Sequence, residues 1–155
     1  MIAFPADLLH KVVAAAEAAY PQECCGLLVG RDRKAGAPDI LVTRIEASPN
    51  VAEGNRARSF EIDPKLRLDL MRTLRGGPDR IVGLFHSHPD HPAQPSERDL
   101  AMAWEPELIW VIVSVRDGHA VATTAHRIDE THHRFAEIAL ETLTRRADSS
   151  PGATA

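Results

Sequence analysis

The residues of this chain that can do chemistry concentrate in one stretch, GLFHSHPDHPAQPSERD, running from Gly83 to Asp99. His86 and His88 stand one residue apart. Ser96 and Asp99 follow beyond a proline-rich turn, spaced S-x-x-D. Two imidazoles and a carboxylate are the ligand set of an open zinc site, with a fourth tetrahedral position left for water. Zinc held in this way lowers the pKa of its water to about 7. The S-x-x-D pair also fits a capping box, in which Ser and Asp satisfy the first backbone N–H groups of a helix. Taken alone it favours the cap. With His86 and His88 upstream, Asp99 reads as a third ligand, while Ser96 stays open between cap, oxyanion donor and both.

Such a set needs a strand that ends at the histidines and a helix that brings the carboxylate back. RIVGLFH (80–86) has the apolar character of a strand running straight into the site. Residues i and i+2 of a strand point the same way, so both imidazoles can face one metal. Pro89, Pro92 and Pro95 stiffen the connection by fixing φ, and Ser96 opens a short helix toward Trp104. Elsewhere, Leu8, Leu9, Val12, Val13, Ala16 and Ala19 make an apolar stripe that predicts a helix over 5–20, with Pro5 at its first position. CGLLVG (25–30), ILVTRIEA and LIWVIVSV (108–115) read as strands, and SFEID as a short one. Pro64 opens a helix carrying Leu66, Leu70, Met71 and Leu74, stopped by Gly76-Gly77-Pro78. Arg116-Asp117-Gly118-His119 is a hairpin signal with AVATTAHRI as the return strand. Residues 132–146 read as a final helix bearing Phe135, Ile138, Leu140 and Leu143, and 147–155 as a tail without core-forming residues. Strands interleaved with helices imply one α/β domain over 1–146 with a mixed sheet.

Composition removes several classes. The chain has 155 residues, 44% hydrophobic and 26% charged, which suits one globular domain with a core. A net charge of -4, with 18 Lys and Arg spread thinly, argues against nucleic acid as a partner. No apolar run approaches the roughly 18 residues of a membrane span, so no membrane role is expected. Asp7 and Lys11 interrupt what a secretory signal keeps apolar, so the expected location is cytoplasmic. Cys24 and Cys25 are adjacent, a geometry that strains a disulfide. They do not make a disulfide framework or a four-thiolate zinc site, and they read as buried packing residues. Oligomeric state is left open, a homodimer included.

A zinc site of this kind needs a general base, and here a resemblance enters. E-C-C-G-L-L at Glu23–Leu28, F-E-I-D-P at Phe60–Pro64, and G-L-F-H-S-H-P-x6-S-x-x-D together resemble the JAMM/MPN metalloprotease family, in its small bacterial branch. The likeness runs from about residue 5 to 145, with no departure at a catalytic position. It implies a curved mixed β-sheet with helices on both sides, an architecture like that of cytidine deaminases. It implies one zinc ion per chain, bound by His86, His88 and Asp99. Glu23 is then the general base that passes its proton to the leaving amine, and Ser96 steadies the oxyanion. The implied activity is hydrolysis after the C-terminal Gly-Gly of a ubiquitin-like sulfur-carrier protein, whose side-chain-free tail can thread a narrow groove.

Plainer readings stand beside these. Glu23 by itself is an ordinary loop carboxylate. His91 reads as a loop residue near the site, with substrate contact as a second role. Asn55, Arg56 and Arg58 occupy a loop that would border the substrate groove, and Asn55 and Arg58 join His91 as candidate substrate contacts. His10, His119 and His126 have no partner spacing, His132 and His133 read as surface residues, and Trp104 and Trp110 as core. Two other functions compete. A non-catalytic MPN-type scaffold binding a ubiquitin-like partner would be expected to lack a ligand, and this chain lacks none. A cell-wall peptide hydrolase would be expected beside a wall-binding module. The absence of H-E-x-x-H sets a zincin aside, and the absence of P-C-x-x-C sets a nucleobase deaminase aside.

Overall fold

The computed structural model describes residues 1–33 and 39–144. Most of the turn after the first long strand, and residues 145–155 including the expected tail, lie outside those residues. Eight strands form one mixed sheet in the order β7-β6-β5-β4-β2-β3-β1-β8. The long central strands are β2 (Cys25–Asp32), β3 (Ile40–Ser48), β4 (Arg80–Pro89), β5 (Ile109–Arg116) and β6 (His119–Asp129). β2 runs antiparallel to both β3 and β4, and β4 runs parallel to β5. β5 and β6 form the expected hairpin, turning through Asp117 (φ 50) and Gly118 (φ 84). Positive φ at both central residues is the turn geometry whose twist matches a hairpin.

Alternation along the central strands makes two cores. Leu28, Phe85 and Val111 point to the side covered by helix α1 (Ala6–Ala19), which buries Val12 and Ala16. Leu27, Val29, Leu84 and Trp110 point to the other side, where helix α2 (Pro64–Leu74) contributes Leu70. Asp63 caps α2 by accepting from the Lys65 backbone N–H at 2.9 Å, with Pro64 in its first turn. Gly26 is required by the same packing, because a Cβ there would overlap the Phe85 ring and the Glu46 carbonyl. A single α/β domain with helices on both faces of a curved mixed sheet is therefore borne out.

Three local expectations are corrected, and one strand is added. Of the helix expected over 132–146, the described residues 132–144 are not helical. They form β7 (Arg134–Ile138) on β6 and β8 (Leu140–Leu143) on β1. Their good helix formers are overridden because β6 and β1 present unpaired backbone edges, and pairing those edges outweighs propensity. β7 and β8 are opposite edges of the sheet, yet Ala139 alone separates them, its carbonyl accepting from Ile2 N–H at 2.9 Å. One residue spans at most about 3.6 Å, so the sheet must roll until its edges nearly meet. The first strand, β1 (Ile2–Pro5), was not foreseen, and it buries Ile2, Ala3 and Phe4. SFEID is not a strand, since only an isolated bridge joins Ile62 to Asn50. The Asn50 side chain takes the Glu61 N–H that a partner strand would have used. Trp104 is not core: it is 84% exposed, whereas Trp110 is buried. Among the described residues no helix is long and apolar enough to cross a membrane.

Candidate active site

β4 continues beyond His86 to Pro89, so both histidines lie in regular strand on one face. Their Nε2 atoms are 3.0 Å apart, and each lies 3.2 Å from Asp99 Oδ2. His86 is fully buried, and His88 and Asp99 nearly so. Bonds of about 2.0–2.1 Å to a tetrahedral metal would place ligand atoms roughly 3.3 Å apart. The three inward atoms already sit close to that spacing. The Nδ1 of His88 donates to the Pro92 carbonyl at 2.8 Å, so in the neutral imidazole the Nε2 lone pair faces inward. Asp99 is held well below the usual carboxylate range: burial opposes ionisation, but hydrogen bonds from His86, His88 and the Ser96 backbone overcome it. Burial pushes the His86 imidazole down, toward its neutral form. The His88 imidazole shifts the other way: burial opposes its charge, but Asp99, the Pro92 carbonyl and Glu23 together raise its pKa. Metal ligation needs an ionised carboxylate and neutral imidazoles, so a metal ion competes with a proton at His88.

Asp99 arrives by way of helix α3 (Glu97–Met102), which Ser96 caps. Ser96 Oγ accepts from Asp99 N–H at 3.0 Å, and Ser96 N–H donates to Asp99 Oδ2 at 2.8 Å. The capping box is therefore formed, and it holds the carboxylate in place. Three strands then fasten the connecting loop through consecutive carbonyls. Ser114 of β5 donates to His91 O, His88 of β4 to Pro92 O, and Thr124 of β6 to Ala93 O at 2.6 Å. Thr124 also bonds the buried His126, its Oγ1 lying 2.8 Å from Nε2. Sequence reasoning missed Ser114 and Thr124, since strand hydroxyls carry no motif, and it set His126 aside for want of a partner spacing.

Glu23 is brought to this group by the β2–β4 register. Cys25 pairs with His86, so two residues earlier Glu23 comes opposite His88. The extension is held by Ser87, whose Oγ accepts from Cys24 N–H at 2.8 Å and whose N–H donates to Cys24 O at 3.2 Å. Glu23 Oε1 lies 4.0 Å from His88 Nε2, and Oε2 is buried without a hydrogen-bond partner. Burial pushes the Glu23 carboxyl up to about 7, with Asp99 adding to the effect and His88 opposing it. Glu23, His86 and His88 form a buried cluster able to hold a metal. Asp99 is the better third ligand on geometry, because its oxygen is nearer to both imidazoles than Glu23 is to His88. The thiols are spectators, since burial pushes Cys24 to about 11 and Cys25 to about 12, away from the reactive thiolate.

The group opens into a cleft of about 360 Å³ lined by Glu23, Arg58, His88, His91, Gln94 and Ser96 among others. Arg58 and His91 thus reach the cleft. Asn55 does not line it. Its side chain accepts from Ala57 N–H at 3.0 Å and its carbonyl from Ser59 Oγ at 2.7 Å, so it shapes the loop instead. Asn50, unremarked in the sequence, is the residue that ties this loop to Glu23. It donates to Glu23 O at 3.2 Å and Ser59 O at 2.9 Å, and accepts from Ala52 and Glu61.

With this geometry in hand, the comparisons with known proteins agree. Residues 5–129 match the family described as prokaryotic homologs of the JAB domain. The CysO-cysteine peptidase of Mycobacterium tuberculosis is 32% identical over 125 residues, covering 79% of this chain and 80% of that protein. The desampylase of Haloferax volcanii is 30% identical over 122 residues, covering 78% of this chain and 80% of that one. The crystal structure of a JAB1/MPN domain protein from Archaeoglobus fulgidus shares the fold, with a TM-score of 0.58 at 20% identity over 92% of this chain and 99% of that one. The chain belongs to the JAB family, in its small prokaryotic branch.

Proposed function

We propose that this chain is a zinc-dependent peptidase that hydrolyses the bond after the C-terminal Gly-Gly of a ubiquitin-like sulfur-carrier protein. The observation that carries the reading is the convergence of His86 Nε2, His88 Nε2 and Asp99 Oδ2 beside buried Glu23, whose Oε2 has no hydrogen-bond partner. His86, His88 and Asp99 would hold one zinc ion, which would supply Lewis acidity at the scissile bond. Glu23 accepts the proton of the attacking water. A carboxyl with a pKa of about 7 is suited both to take that proton and to return it to the leaving amine. The Ser96 oxygen is occupied by the Asp99 N–H, but its hydroxyl hydrogen is free to donate to the oxyanion. Ser96 then serves as cap and donor at once.

The names of the two relatives, a CysO-cysteine peptidase and a desampylase, support a ubiquitin-like carrier as substrate. A cleft of about 360 Å³ is at the small end of ligand sites and suits a few residues of extended chain better than a folded element. The test is incubation of zinc-loaded protein with carrier proteins extended beyond Gly-Gly, read by mass spectrometry. Removal of the extension, its abolition by chelator, and a roughly 10²–10⁴-fold loss in Glu23→Gln are expected. An intact extension, or a Glu23→Gln variant as fast as the parent, refutes the reading.

A further inference from the structure

The Glu23 side of the cleft carries a cation that the hydrolytic chemistry does not use. Arg58 lines the cleft with an exposed side chain. Arg31, Arg67 and Arg80 pair with Asp79, Glu105 and Asp32. Arg58 has no carboxylate or carbonyl partner among the described residues. Its backbone is nonetheless pinned. Arg56 O accepts the Glu23 N–H at 2.8 Å, and Ser59 O shares Asn50 Nδ2 with Glu23 O. Arg58 N–H itself donates to Asn55 O at 3.1 Å. The residues on both sides of Arg58 are therefore fastened to the backbone of Glu23, whereas Ser96 belongs to the segment that carries Asp99.

Resting on the peptidase reading, we propose that Arg58 binds the free α-carboxylate of the residue that is released. The enzyme is then a carboxypeptidase for a single residue after Gly-Gly, and not a hydrolase of side-chain isopeptides. Glu23 protonates the leaving amine, so that nitrogen lies beside Glu23. In an α-amino acid the carboxylate is two bonds from the same nitrogen, so it stays within the cleft that Glu23 and Arg58 both line. In an isopeptide the leaving nitrogen ends a lysine side chain, and no carboxylate follows within reach. A guanidinium presents paired donors that match a carboxylate. Among the described residues Glu23 is the only acidic one lining the cleft, and His91 adds a second basic group beside Arg58.

The experiment compares carrier proteins ending in Gly-Gly-Ala as the free acid, as the C-terminal amide, and with Gly-Gly joined to a lysine side chain, using zinc-loaded full-length protein. Loss of one charge-assisted pair predicts at least a 10-fold fall in kcat/KM from acid to amide. In Arg58→Gln the acid-to-amide ratio collapses toward one, and in Arg58→Lys it is partly restored. A parent that cuts acid, amide and isopeptide equally well overturns this inference and leaves the peptidase reading standing. A preference that survives in Arg58→Gln overturns the assignment to Arg58. A parent that cuts none of the three overturns both.

Discussion

The two walls of the cleft are held in opposite ways. On the β4–α3 wall the inward polar atoms hold one another: His86, His88 and Asp99 converge, and Ser96 and Pro92 brace them from behind. On the facing wall the backbone is braced, but the charged groups are left unspent. Glu23 Oε2 has no partner, and Arg58 has no counter-charge among the described residues. Under the proposed function, the contrast is a division of labour. A metal site needs its ligands fixed before the ion arrives, so their geometry is built in. Proton transfer and substrate recognition need groups free to change partners, so only their attachment points are rigid.

The sharpest way to break this contrast is to remove a braced ligand. Asp99→Ala is expected to lower zinc affinity by more than about 100-fold, beyond what loss of an outer partner costs, as read by chelator competition. A smaller effect separates the two roles of Ser96. Ser96→Ala removes the cap and is expected to cost about 1 kcal/mol, or roughly 2–4 °C in Tm. Ser96→Gly, a tolerated cap, should keep nearly the parent Tm yet share a loss in kcat of about 10²–10³. If Ser96→Gly retains full activity, Ser96 is a cap alone.

The smallest expected effect tests the unspent carboxylate of Glu23 in metal-free protein. Its folded pKa of about 7 lies above the unfolded value near 4.5, because burial penalises the charge. Below 4.5 both states are protonated and the advantage of burying the neutral acid is complete. It is lost as pH rises through 7. Glu23→Gln cannot ionise, so its Tm should match the parent at pH 4.5 and exceed it by a few degrees at pH 8. Equal thermal shifts at both pH values would show that Glu23 is well solvated.

Motif residues were legible where the physics is local. His86 and His88 share a face because strand periodicity is two, and Ser96 and Asp99 meet because a helix turn brings residues three apart together. Those relations hold in any fold. The helix expected over 132–146 failed for the same reason in reverse. Residues such as Ala136, Glu137 and Glu141 favour a helix locally, but the free edges of β6 and β1 are properties of the finished sheet. Trp104 and Trp110 are alike in sequence, and only packing decides that one is buried and the other exposed.

By itself, then, the sequence determined which atoms could ligate metal and in what order they stand along the chain. The tertiary structure decided what faces them. The antiparallel register that pairs Cys25 with His86 carries Glu23 across the sheet to His88. Asn50 then fastens the Arg58 loop to Glu23. Both depend on hydrogen bonds between segments far apart in the chain, which no short spacing encodes.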